Sequence, residues 1–144
     1  MTYKKTNQLT ATNAAYIAGI IDGEGTIALT RRHKNENRQL EISVSNTEMV
    51  LLEYLLTVIG TGRISNKRIY SDKHTPSATY TVSNRQALDL LKQIEPFLLT
   101  YKKYRAKLVL KNYLRLTPRN GKYTAEIRQK REQFIKIFLT TKPS

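Results

Sequence analysis

The apolar positions of the chain switch between two periods, and the switches mark its elements. In the run 14–25, AAYIAGIIDGEG, Ile17, Ile20 and Ile21 fall at i, i+3 and i+4, the spacing of a core-facing helical ridge. Asn13 stands where an N-cap is expected, and Gly23 and Gly25 where the helix should stop. From 26 to 34 the period drops to two. Ile27 and Leu29 point one way, and Thr26, Ala28, Thr30 and Arg32 the other. A turn at 35–37 leads to Leu40, Ile42 and Val44, which alternate with Gln39, Glu41, Ser43 and Ser45. These two runs predict a hairpin with one apolar and one polar face. Asn46 or Thr47 caps a second helix with a core stripe of Leu51, Tyr54, Leu55, Val58 and Ile59, ended by Gly60-Thr61-Gly62. Segments 63–70 and 78–83 read as a third and a fourth strand, with Tyr80 and Val82 inward. The polar connection between them contains Pro76.

Helix–strand–strand thus occurs twice. The predicted class is α+β: two αββ units forming a four-stranded antiparallel sheet with helices on one face. C-terminal helices follow. Asn84 caps one with Ala87, Leu88, Leu91 and Ile94 inward, broken at Pro96. A helix at 102–116 turns Ala106, Val109, Leu110 and Tyr113 inward, and a basic one at 125–139 carries Ile127, Phe134 and Phe138 on one side. Residues 1–12 form a polar N-terminal arm, disordered, solvated or phosphate-contacting, and 13–144 a single domain.

Composition narrows the function classes. The chain of 144 residues is long enough for one domain with a real core. It has no cysteine, which excludes a disulfide framework and thiolate metal sites and agrees with a reducing, intracellular compartment. No apolar leader follows the basic start. The most apolar window, 49–59, is interrupted by Glu53 and too short for a bilayer. The net charge is +14, with 25 Lys and Arg against 11 acids, which calls for a polyanion. The bases are spread along the chain between strand-like segments rather than gathered on one amphipathic helix. Nucleic acid is therefore expected, and no membrane.

Against that charge, the first helix ends oddly. A helix C-terminus favours cations, yet here Asp22 and Glu24 sit among glycines. A hard divalent cation, Mg²⁺ or Mn²⁺, would resolve the clustering of oxygens; a helix stop with two solvated acids is the plain alternative. An EF-hand is excluded, because the twelfth loop position is His33 and not Glu. No residue has the setting of a covalent nucleophile, and His33 and His74 stand alone. Ala15, Ala18, Gly19 and Asp22 form a second helical stripe of small residues, which predicts a close helix–helix seam. With a single copy in the chain, a two-fold dimer supplies the partner. The polar sheet face, Thr26, Ala28, Thr30, Arg32, Gln39, Glu41, Ser43, Arg63, Ser65, Lys67, Thr79, Thr81 and Ser83, is either merely solvated or a reader of base edges, with Lys34 and Asn37 at its hairpin end.

The nonapeptide Ile17-Ala18-Gly19-Ile20-Ile21-Asp22-Gly23-Glu24-Gly25 resembles the signature of the LAGLIDADG homing endonucleases. The resemblance implies a saddle-shaped sheet over the DNA major groove, a homodimer built on the signature helices, and metal-dependent double-strand cleavage across the minor groove. The target would be a long, partly palindromic site cut with 3′ overhangs. It implies Glu24 as metal ligand, with the Gly23 or Asp22 carbonyl beside it and Asp22 serving the helix ends at the seam. Val44-Ser45-Asn46 resembles the family's placement of an amide near the metal, making Asn46 a candidate. Pro96-Phe97-Leu98, Lys102 and Ala106-Lys107-Leu108 resemble the segment that supplies an active-site lysine, here Lys102, or Lys103 one residue on. Lys67 is the candidate for a second basic residue of the pocket. Two rival readings are an intron-RNA-binding maturase, or other non-cleaving DNA binder, of the same fold, and a basic assembly protein such as a ribosomal one.

Overall fold

In the computed structural model, the described residues are 4–66, 76–118 and 122–143. The order is α1 (Ala11–Glu24), β1 (Gly25–Thr30), β2 (Gln39–Asn46), α2 (Met49–Ile59), β3 (Arg63–Asn66), β4 (Ala78–Ser83), α3 (Asn84–Ile94), a short 3₁₀ turn (Glu95–Phe97), α4 (Tyr101–Asn112) and α5 (Ala125–Thr140). The four strands form one antiparallel sheet in the order β1-β2-β4-β3. The helix–strand–strand repeat predicted from periodicity is therefore the architecture. Ile27, Leu29, Leu40, Ile42, Val44, Tyr80 and Val82 are buried on one sheet face, against Ile17 and Ile21 of α1, Leu52, Leu55 and Ile59 of α2, and Leu88 and Leu91 of α3. Among the described residues no helix is long and apolar enough to cross a membrane.

Several boundaries differ from the sequence reading. Helix α1 starts earlier, with Thr10 as N-cap accepting from the Asn13 amide at 3.1 Å. Asn13 is not the cap; its side chain accepts from the Tyr54 hydroxyl at 2.9 Å. The arm before it is tied down from Lys4 onward. The Asn7 amide donates to Ile59 O, the Leu9 amide to the Gln93 side chain, and Thr6 Oγ1 to Gln86 O. At α2 the N-cap is Glu48, and Asn46 accepts from its amide at 2.8 Å. At α3 the N-cap is Ser83, with Asn84 at φ +56°, a conformation asparagine tolerates better than most residues. Gly60 ends α2 at φ +82° with Asn7 against it, a place a Cβ could not occupy.

Strand β1 ends at Thr30 rather than 34, so Arg32 and Lys34 lie in the loop, with Asn37 of the predicted turn, and not on a strand. Alternation could not show this, because a polar strand end and a polar loop read alike. The predicted third strand is described only as far as Asn66. Lys67 and the rest of it, together with His74, lie outside the described residues.

Candidate active site and nucleic-acid interface

The last turn of α1 meets the first turn of α4, and each caps the other. The Asp22 carboxylate accepts from the amides of Leu99 (2.9 Å) and Thr100 (3.2 Å) and from the Thr100 hydroxyl (2.5 Å). It thus closes the N-terminus of α4, where a negative charge is favoured. In return, Lys102 Nζ donates to the carbonyls of Ile21 (2.7 Å) and Asp22 (2.9 Å), and closes the C-terminus of α1. Lys102 is 8% exposed. Burial pushes its pKa down, opposed by the charge of Asp22 and reinforced by that of Arg105. Burial alone would raise the Asp22 pKa, but the Thr100 and Leu99 hydrogen bonds and the Lys102 charge outweigh it and hold it low. Among the described residues Lys103 reaches only the Glu95 and Pro96 carbonyls, so of the two lysines Lys102 is the one at the acids.

This pairing corrects two expectations. The Asp22 carboxylate is committed to the N-terminus of α4 within the chain rather than free for a metal, and its carbonyl already accepts from Lys102. Ala18 is fully buried in the protomer's own core and is not part of a free stripe. The exposed stripe of α1 is instead Thr12, Ala15, Tyr16, Gly19 and Gly23. A Cβ at Gly19 or Gly23 would meet nothing within 4 Å. Gly25 differs: a Cβ there would lie 2.8 Å from Ile21 Cα, so the turn from α1 into β1 needs glycine.

Glu24 is exposed at this junction, and nothing among the described residues hydrogen-bonds its carboxylate. Gly25, the first residue of β1, pairs with Val44, so the end of α1, with Glu24, and the end of β2, with Ser45 and Asn46, lie at the same end of the sheet. Asn46 is half-buried, and its side-chain oxygen is taken by the Glu48 amide. A free carboxylate beside carbonyls at a helix end suits a hard divalent cation. Among the described residues no three His, Cys, Asp or Glu side chains converge as a metal site, so one chain provides only part of a coordination shell.

From Glu24 the polar face of the sheet runs outward in rows fixed by the strand register. Ser45, Thr79 and Ser65 lie side by side, the first two joined at 2.8 Å. Next come Thr26, Ser43, Thr81 and Arg63, then Ala28, Glu41 and Ser83, then Thr30 and Gln39. Thr30 Oγ1 donates to Glu41 at 3.3 Å. Thr81, on a central strand, is only 5% exposed and offers little to a ligand. Arg31, Arg32, Asn35 and Asn37 wall the outer end, where a groove of about 1200 Å³ also takes in Arg63, Arg85 and Tyr123.

Sequence reasoning missed two arginines that hold the C-terminal helices, one half-buried and one buried. Arg105 donates to Ile27 O and Thr141 O, both at 2.8 Å, and stacks on Phe138, locking α4 and α5 to β1. Arg131 is 3% exposed and donates to Leu116 O, Thr117 Oγ1 and Arg38 O. For Arg131 a signal existed: it fills the i+4 place between Ile127 and Phe134 on the apolar side of α5.

A family model described as LAGLIDADG endonuclease matches residues 17–116. No curated protein sequence matches the chain. Among solved structures, it is similar to the homing endonuclease I-CvuI in complex with the I-CreI target, with TM-score 0.73 and 17% identity over 92% of this chain and 83% of that one. It is also similar to the archaeal intron-encoded homing endonuclease I-Vdi141I complexed with DNA (TM-score 0.59, 13% identity, 92% and 86% covered). A third is the homing endonuclease I-TnaI (TM-score 0.60, 17% identity, 94% and 97% covered). At such identities the structural likeness carries the fold, and the family model carries membership. The chain belongs to the LAGLIDADG endonuclease family.

Proposed function

We propose that this chain is a site-specific homing endonuclease that works as a homodimer and makes double-strand breaks in a long, partly palindromic DNA site. The observation that carries the reading is the contrast at the end of α1. Asp22 and Lys102 are consumed in capping helices, while Glu24 beside them is exposed and, among the described residues, uncommitted.

The exposed small stripe of α1 supports dimerisation. Nothing among the described residues requires Gly19 or Gly23 to lack a side chain, and glycine inside a helix costs roughly 1 kcal/mol relative to alanine. A second α1 packed on this stripe would bring two Glu24 carboxylates together at one end of two sheets. Like charges so placed repel unless cations lie between them. Glu24 and the Gly23 carbonyl would hold Mg²⁺ or Mn²⁺. When bound, the ion supplies Lewis-acid stabilisation of charge on the scissile phosphodiester and on the attacking and leaving oxygens. Lys102 fixes the last turn of α1, and with it the aim of Glu24, while placing a positive charge near the phosphate.

The sheet face supplies the reader. Arg suits guanine, Gln suits adenine, Glu41 suits the cytosine amino group, and Ser and Thr adapt. Six residues of β1 at about 3.3 Å each span roughly 20 Å, which corresponds to about six base pairs before the loop adds more. Two protomers double that length. Strands occupy the major groove in other DNA readers.

The test is to incubate the protein with Mg²⁺ and a library of randomised duplexes and sequence the new ends. Breaks in both strands at one extended, two-fold-related motif are expected. Binding of RNA or DNA with no cleavage of any duplex, under conditions where the protein is folded and dimeric, would contradict the nuclease reading and favour a binder of the same fold.

A further inference from the structure

We propose that Arg131 is a positioning residue for sequence readout: it holds the β1–β2 loop, and so sets which base pairs are recognised at the outer end of the site. The inference rests on the DNA-reading role proposed for the sheet face.

The guanidinium of Arg131 joins three segments distant in sequence. From α5 it donates to Leu116 O (2.7 Å) and Thr117 Oγ1 (2.6 Å) beyond the end of α4, and to Arg38 O on the returning limb of the loop. The rings of Tyr113 and Tyr123 each lie 5.7 Å from it. Arg38 passes the connection on, because its own side chain donates to Leu29 O of β1 at 2.9 Å. The loop is thereby fastened at its base to both strands and to the C-terminal helices.

The rest of the loop is held lightly. Its own bonds are Glu36 N to His33 O at 3.0 Å and Arg31 Nη1 to Lys34 O at 2.9 Å, with an exposed 4.0 Å contact of the His33 ring with the Glu36 carboxylate, and residues 31–37 are exposed. Beneath it, between loop and α5, lies a cavity of about 660 Å³ that Arg131 borders. Above it is the groove over the polar face. A loop with space on both sides keeps its direction only through its fastening.

The arginine is also an expensive way to fill a core position. Among the described residues its Nε is buried with no acceptor, a desolvation cost that an apolar side chain would not carry. What an apolar residue lacks is a planar fork that reaches three acceptors at once.

The test compares wild type, Arg131→Met and Arg131→Lys by selecting cleavable duplexes from the randomised library and by amide hydrogen exchange of each free protein. Both variants are expected to lose base preference by about tenfold at the outermost positions, while inner positions near the cut keep theirs. Turnover on the wild-type site should stay within about twofold while KM rises, since only binding contacts are disturbed. Loop amides at 31–40 should exchange about tenfold faster, with β4 unchanged. Should Arg131→Met fail to fold, Thr117→Val, which removes one acceptor, joins Arg131→Lys in the same comparison. An unchanged specificity profile, or a loss spread evenly over all positions as from general destabilisation, overturns the inference. A wild type that cleaves and binds with no base preference sinks the DNA-reading role itself; faster loop exchange in the variants would then leave Arg131 a loop anchor and nothing more.

Discussion

At the scale of single residues, Asp22 and Lys102 decide how the site is built. Each removes the orphan groups of the other's helix, so neither is free chemistry. Replacing Asp22 with Ala deprives α4 of its capping carboxylate and is expected to cost about 1–2 kcal/mol, measured by urea unfolding. Lys102→Met takes a charged donor from the Ile21 and Asp22 carbonyls, the first of which keeps only the Gly25 amide, and is expected to cost about 1–3 kcal/mol. The same change at Lys103, whose bonds are long and peripheral, should stay within about 0.5 kcal/mol. The acids were legible in the sequence because negative charge at a helix C-terminus is out of place. The partner of Asp22 was not, because Thr100 lies 78 residues away and only the tertiary fold brings it close.

At the scale of elements, α1 carries two faces whose identity depends on where the sheet lies. Periodicity finds Ile17 and Ile21, but it cannot assign a small residue between two stripes. Ala18 sits there, and the sheet claims it. Arg131 on α5 is the converse: a polar residue on an apolar stripe, legible as an oddity but without its acceptors. The exposed stripe yields a clean separation of folding from association. Gly19→Leu adds a side chain into open space within the protomer and should leave its unfolding midpoint unchanged or raise stability by up to about 1 kcal/mol. In the proposed dimer the same side chain meets a second backbone. Sedimentation velocity should therefore show a monomer, with cleavage lost. A Gly19→Leu protein that remains dimeric would place the seam elsewhere.

At the scale of the whole molecule, the +14 charge predicts binding governed by phosphate contacts. The slope of log K against log salt should be steep, between about −5 and −10 for a dimer touching several phosphates on each side. A slope near zero would remove the polyanion from the account. The αββ repeat was legible because strong alternation and strong helical stripes leave little room for another order of elements. The hairpin's turn was legible too, but not how far the loop extends from it, since a polar strand end and a polar loop look the same until hydrogen bonds are made. All scales meet at Glu24, and the most direct measurement is Glu24→Gln against wild type on the selected duplex in Mg²⁺, with binding measured in parallel. The substitution keeps size and removes the charge that would hold the cation. Unchanged affinity and a loss of double-strand cleavage of roughly a thousandfold or more are expected. A Glu24→Gln protein that cuts as fast as wild type would contradict the metal-holding role of Glu24.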